Sequence, residues 1–149
     1  MTLPEIRTLI PHSGEMILLD RLIWADTENL CAEVIIRTES LFFDGCGVGA
    51  WVGIEYMAQA IAAYAGYSAQ QRGDPIKIGF LLGTRRYEPI LPIFVLGSVL
   101  QIHVHCALQD SNGLGAFECH IDDMSRTSDK PMVSATVTVF QPENVNDFL

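Results

Sequence analysis

The stretch "FFDGCGVGAWVGIEYMAQA", Phe42 to Ala60, carries only two charges, Asp44 and Glu55, and Glu55 stands among glycine, alanine, methionine and aromatic residues. Burying an unpaired carboxylate costs on the order of several kcal/mol unless it is protonated or hydrogen-bonded. Burial raises a carboxyl pKa, which suits a general acid working near neutral pH. Gln59 follows at i+4 and reaches the same helix face. Two readings stay open on chemistry alone. Glu55 is a general acid, or it is the satisfied partner of a backbone amide, of Gln59 or of an arginine.

The four histidines divide by position. In 98–108, Leu100, Ile102, Val104 and Cys106 alternate with Gln101, His103 and His105; in 114–121, Gly115, Phe117, Cys119 and Ile121 alternate with Glu118 and His120. The period of two places His103, His105 and His120 on the outside of a sheet. An ordinary solvated face accounts for them better than a surface metal site. His12 alone is not assigned to an exposed strand face; it sits in "LIPHSGEMILLD".

Gly45, Gly47 and Gly49 precede the apolar run, with Cys46 among them. Backbone N–H groups and the positive end of a helix dipole at such a place can polarise a thioester carbonyl. A flexible turn explains the same glycines. Lys77, Arg85 and Arg86 form a basic group in an acidic chain, suited to a phosphate or an acidic carrier protein, or simply to surface charge.

Cys31, Cys46, Cys106 and Cys119 form no CxxC pair, so their spacing supports neither a zinc site nor a redox motif. The beginning "MTLPEIRTLIPH" lacks the basic end and unbroken apolar run of a signal peptide. Free thiols in a reducing cytoplasm are the expectation. The net charge of −9 argues against nonspecific binding to nucleic acid or an anionic membrane. The 149 residues suit one domain, 1–149, and the 49% hydrophobic content suits a subunit interface.

The elements that must position these residues follow from the pattern. A short helix opens the chain, capped by Thr2, with Pro4 in its first turn and Pro11 at its end. Residues 16–25 read as a strand, "DTEN" at 26–29 as a turn, and 30–37 as a strand with Leu30, Ala32, Val34 and Ile36 on one face. A helix of about 35 Å runs from Gly49 to Gln71. It is apolar nearly all round, which predicts burial, and its many small residues allow a sheet to approach closely. A membrane span is the rival reading, opposed by Glu55 and Gln59 within the run. "RGDP" at 72–75 ends the helix. Strands are predicted at 77–88, 94–108, 114–123 and 131–140, with "DSNG" at 110–113 as a hairpin turn and a loose tail in which Phe148 and Leu149 could dock. An antiparallel sheet wrapped around one central helix fits this order, an α+β class, and its open edge favours pairing with a second copy.

Together, "LIPHSGEMILLDRL", "FFDG" and "IEYMAQAIAAYAG" resemble the 3-hydroxyacyl-[acyl-carrier-protein] dehydratases of the hotdog fold. "LIPHSGEMILLDRL" resembles their Pro-His pair and apolar strand ending in Asp-Arg. "FFDG" resembles the approach to their active-site loop. "IEYMAQAIAAYAG" is similar to their central helix, with Glu55, Met57, Ala58, Gln59 and Ala60 matching its glutamate and Met-Ala-Gln-Ala. The likeness is closer still to the dehydratase subunits of aryl-polyene biosynthesis, which share the "GIEYMAQA" type of helix and a shortened loop before it.

The resemblance implies a dimer with a tunnel at the interface for an acyl chain carried on phosphopantetheine, from an acyl carrier protein or as a CoA thioester. No metal or redox cofactor is needed. A loop histidine removes the α-proton, and the helix glutamate, here Glu55, protonates the departing hydroxyl to give a trans-2-enoyl thioester. Gly45, Cys46, Gly47, Gly49 and Gln59 become substrate-binding candidates, and Lys77, Arg85 and Arg86 carrier-binding ones. The loop histidine has no counterpart: the chain has "FFDG" and then Cys46, and the loop up to Glu55 is shorter by about five residues. His12 is then the base, or a different hotdog subunit supplies a histidine across a heterodimer, or the chain is a non-catalytic subunit. Cys46 is the poorest base, since a thiol in an apolar loop stays protonated. A hotdog thioesterase, which needs only the carboxylate, is the alternative activity. Phe42, Phe43, Trp51, Tyr56 and Phe80 line a tunnel or belong to the core.

Overall fold

The structure is a computed structural model and describes residues 3–12, 14–77 and 79–142. Thr2, Phe148 and Leu149, with the cap and docking expected of them, lie outside those residues. The opening helix is a 3-10 turn, Ile6–Thr8, whose Thr8 hydroxyl donates to the Glu5 carbonyl at 2.7 Å. The strand expected over 16–25 is shorter. A second 3-10 turn spans Gly14–Met16, and β1 covers only Arg21–Ala25. The reason is local. The Met16 carbonyl and Leu18 amide bond to the Gln59 side chain instead of a neighbouring strand.

The turn at 26–29 is built by Asp26, whose Oδ1 accepts from the amides of Glu28 and Asn29 at 2.9 and 2.8 Å. It leads to β2, Asn29–Ile35. Leu30, Ala32 and Val34 enter the core as the alternation predicts, but Cys31 and Glu33 are buried as well. Glu33 pairs there with Arg21, Nη2 to Oε2 at 2.7 Å. The short β3, Gly47–Gly49, pairs antiparallel with β5, Ile93–Val95.

A 3-10 turn, Ala50–Val52, leads into α1, Gly53–Arg72, so the regular helix starts later than residue 49. It ends where Gly73 takes the left-handed conformation (φ 74°) that glycine adopts without steric cost. Gly66 has a different purpose: a Cβ there would lie 1.9 Å from the Leu9 carbonyl oxygen, so only glycine lets the N-terminal segment press onto the helix. Met57, Ala60 and Ala63 are fully buried against the sheet. Truncating Met57 to alanine would cost about 2–5 kcal/mol. Burial is not all round, however. Glu55, Ala58, Ala62 and Ala65 form a half-exposed stripe at helical spacing. Among the described residues no helix is long and apolar enough to cross a membrane.

Five strands follow α1 where four were expected. β4 is Phe80–Arg85, and the predicted strand over 94–108 divides into β5 and β6, Val99–Gln109. A turn separates them, with Gly97 at φ 88° and the Ser98 amide bonded to the Val95 carbonyl at 3.0 Å. β7, Leu114–Asp123, and β8, Val133–Phe140, complete a sheet of order β1-β2-β6-β7-β8-β4 with every neighbour antiparallel. The Asp110 carboxylate shapes the hairpin by accepting from the amides of Asn112 and Leu114. Leu100, Ile102, Val104, Ile121 and Val137 are fully buried beneath α1. The result is the hotdog arrangement of a sheet wrapped around one helix.

Candidate active site

Glu55 lies in the first turn of α1, where the helix dipole favours negative charge. His12 comes from the segment that Gly66 admits against the helix. The two meet with Nε2 3.6 Å from Oε1, His12 having 28% and Glu55 44% of its side-chain surface exposed. Glu55 is therefore less buried than the apolar sequence predicts, because its helix face looks into a cavity. The His12 Nδ1 atom is buried and bonds to no other group among the described residues, which leaves Nε2 as the nitrogen facing the carboxylate.

Gln59 holds this geometry. It is fully buried. Its Oε1 accepts from the Leu18 amide at 2.9 Å, and its Nε2 donates to the Met16 carbonyl at 2.7 Å and to Glu55 Oε1 at 3.2 Å. One side chain thus fixes the glutamate and ties α1 to the strand-leading segment beyond His12. Its place is behind the pair, out of reach of a substrate in the cavity.

The cavity has a volume of about 180 Å³. His12 and Glu55 open onto it, and Ala58, Ile61, Ala62 and Ala65 of α1, Phe117 of β7, Val139 of β8 and Phe80 of β4 supply apolar walls. The small residues at 58, 62 and 65 repeat on the face of Glu55 and line an apolar groove beside the carboxylate. Of the five aromatic residues expected in a tunnel, Phe80 lines this cavity. Tyr56 stacks on Phe94 at 6.0 Å in the core, and Phe42 packs on Trp51 at 5.2 Å on the surface. A separate cleft of about 470 Å³, lined by Asp20, Arg37, Phe42 and Phe43, contains neither His12 nor Glu55.

The glycine-rich segment does not border the cavity. Asp44 Oδ1 accepts from the amides of Cys46 and Gly47 at 2.9 and 3.1 Å, and these bonds hold the Asp44 carboxyl below the usual range. Those two amides therefore serve the turn and do not point at a thioester. Gly47 and Gly49 belong to β3, and Gly45, at φ 105°, with the exposed Cys46 forms the bend before it. The three basic residues also part company. Lys77 lines the cavity beside Phe80, while Arg86 lines a groove on the far face of the sheet with His103, His105 and His120, and Arg85 ends β4 facing Thr136. At roughly 3.3 Å per residue, β4 alone separates its two ends by about 16 Å.

The outer histidines stand where alternation puts them. His103 and His120 pair across β6 and β7 with ring centroids 4.6 Å apart, and Trp24 lies 5.6 Å from His103. Burial, with help from His120 and His105, depresses the His103 pKa. His105 Nδ1 is bonded to Asn29 Oδ1 at 3.0 Å.

The solved structures place this geometry among known folds. The chain is similar to the dehydratase heterocomplex ApeI:P from Xenorhabdus doucetiae, at 27% identity and a TM-score of 0.88, over 99% of this chain and 97% of that one. A hypothetical thioesterase with coenzyme A from Streptococcus pneumoniae TIGR4 shares the fold at 16% identity and a TM-score of 0.60, over 81% of this chain and 84% of that one. So does Cj0977, a sigma28-regulated virulence protein from Campylobacter jejuni, at 17% identity and 0.59, over 93% and 89%. No curated protein matches the sequence. Residues 4–149 match the family described as ApeP dehydratase, in agreement with the likeness carried by "GIEYMAQA", and the chain belongs to this ApeP-like dehydratase family.

Proposed function

We propose that the chain dehydrates carrier-bound 3-hydroxyacyl thioesters to trans-2-enoyl thioesters, with His12 as base and Glu55 as acid. The observation that carries this is the pair itself, 3.6 Å apart on the wall of one apolar cavity. Neutral His12 Nε2 takes the proton from the α-carbon. The electrons of that C–H bond form the double bond, the β-carbon–oxygen bond breaks, and Glu55 protonates the leaving hydroxyl as water. The site is left with imidazolium beside carboxylate, and return of the proton to the carboxylate completes the cycle. Acid and base suffice for this chemistry, so the acyl group on phosphopantetheine is the only carried group it requires. Lys77 lines the cavity, which supports a contact between it and the pantetheine phosphate or an acidic carrier. The four free thiols fit a reducing, cytoplasmic setting.

We further propose that a second hotdog subunit completes the site. The half-exposed Glu55 needs covering to exclude water, and the similar ApeI:P assembly is a heterocomplex. A narrower reading, in which this chain supplies only the carboxylate and the partner supplies the base, draws on Cys46 standing where the family's loop histidine would be. The test is to incubate the purified chain, alone and with a co-expressed hotdog subunit, with 3-hydroxyacyl-carrier thioesters and to weigh the products. Loss of one water supports dehydration. Release of free acid and thiol would make the protein a thioesterase instead.

A further inference from the structure

The start of α1 is held from outside the helix. Gly49 and Val52, which precede the 3-10 turn and the helix, make no side-chain cap bond among the described residues. The connection between β4 and β5 holds the turn instead. It leaves β4 through Arg86 at φ 60°, a conformation uncommon outside glycine. The next residue, Tyr87, donates its hydroxyl to the Ala50 carbonyl, which also accepts from the Gly53 amide. The Ala50 amide donates to the Pro92 carbonyl at 2.9 Å. Ala50 is therefore gripped at both its carbonyl and its amide by one connection. That connection is itself anchored, because the Ile90 amide donates to the Met132 carbonyl at 2.9 Å, one residue before β8. The fit around the hydroxyl is close. A Cβ at Gly53 would collide with the Tyr87 hydroxyl oxygen and lie 2.9 Å from Ile121 Cδ1. Glycine at 53 gives up helix propensity and leaves room for that oxygen. Burial, with a smaller push from Tyr56, raises the Tyr87 pKa, so the hydroxyl keeps its proton and remains a donor.

On the reading of the site given above, we infer that Tyr87 is a positioning residue that sets the backbone of the Glu55 turn. Glu55 follows Gly53 by two residues, in the first turn of α1. Each helical residue turns the chain by about 100°, so fraying at residues 50–53 swings the carboxylate away from His12. A misplacement of about 1 Å is enough to slow a reaction about a hundredfold. Gln59 holds the Glu55 side chain from the following turn, and Tyr87 holds the backbone that carries it. Tyr87 is not among the residues lining the His12–Glu55 cavity and acts through the Ala50 carbonyl.

Tyr87→Phe keeps the ring and removes only the hydroxyl. Amide hydrogen exchange by NMR and turnover are measured on this variant with its hotdog subunit. Exchange at Gly53, Ile54 and Glu55 should quicken about fivefold, the factor of one hydrogen bond, while Ala60 to Ala63 keep the wild-type rate. Whichever product forms, kcat should fall at least about tenfold with KM within about twofold of wild type. Gly53→Ala should lower kcat as well, because its methyl group displaces the hydroxyl. Added to Tyr87→Phe, it should lower kcat by less than about twofold more, since the obstructing oxygen is gone. Unchanged exchange at the Glu55 turn, equal acceleration along the whole helix, an unchanged kcat, or losses that multiply in the double variant overturns the inference. A wild-type complex that turns nothing over ends the dehydratase reading instead, and exchange at Gly53, Ile54 and Glu55 then decides the role of Tyr87 by itself.

Discussion

Among the described residues there are two histidine–carboxylate pairs, one on each side of the sheet. His120 Nε2 lies 3.3 Å from Asp122 Oδ2 on the outer face, closer than the 3.6 Å between His12 and Glu55 on the inner side. Distance therefore does not distinguish them; their surroundings do. His120 of the outer pair borders an open groove shared with Arg86, Glu118 and Ser134, where water and neighbouring charge are available to it. The inner pair borders an apolar cavity, comes from two segments far apart in the chain, and is locked by the buried amide of Gln59. Acid–base catalysis needs both position and a site that a substrate can dry out, and only the inner pair has them.

The comparison breaks most sharply through Glu55. Glu55→Gln keeps the shape and the hydrogen bond to Gln59 but removes the acid. Dehydration should fall by about two to four orders of magnitude while the thermal midpoint stays close to wild type; turnover at the wild-type rate would end the role assigned to Glu55. Gln59→Leu should act on both stability and rate. It strands the Leu18 amide and the Met16 carbonyl and should destabilise the fold by about 1–3 kcal/mol in urea denaturation, with a loss of kcat larger than any change in KM. A variant with normal kcat would show that the Glu55 geometry does not depend on Gln59.

The outer face gives smaller effects. The His103 pKa is depressed in the fold from its ordinary 6.5. A group of this kind disfavours the folded state when protonated, so its stabilising share is present above pH 6.5 and is lost as the pH falls toward the depressed value. Asp122 and Asp26 oppose this shift with negative charge, and His120 and His105 reinforce it. His103→Gln should therefore flatten the fall of the thermal midpoint between neutral and mildly acidic pH, and an unaltered profile would remove His103 from the account. His120→Asn should change dehydration by less than about twofold. A loss comparable to that of Glu55→Gln would erase the distinction between the faces.

Much of this was readable in the residues. The alternation in 98–108 and 114–121 identified the core and the outer histidines correctly, because a period of two admits one assignment once a face is buried. The apolar run around Glu55 gave the central helix. Its exposure was not readable. An alanine at position 58, 62 or 65 looks the same whether it meets a sheet or an empty groove, and only the course of β4, β7 and β8 decides between them. The setting of the glycines at 45, 47 and 49 was hidden for a related reason. Asp44 sits beside them and takes the amides that an approaching carbonyl would have used, a local competition that the glycine pattern does not reveal. The basic residues shared a short stretch of sequence, yet β4 carries them to opposite ends and faces.

The central claim is that the base and the acid both belong to this chain. His12→Ala, assayed with the second hotdog subunit present and with folding checked by circular dichroism, tests it most directly. The account predicts a fall in dehydration of at least about a hundredfold. Wild-type turnover by His12→Ala would contradict it and assign the base to the partner.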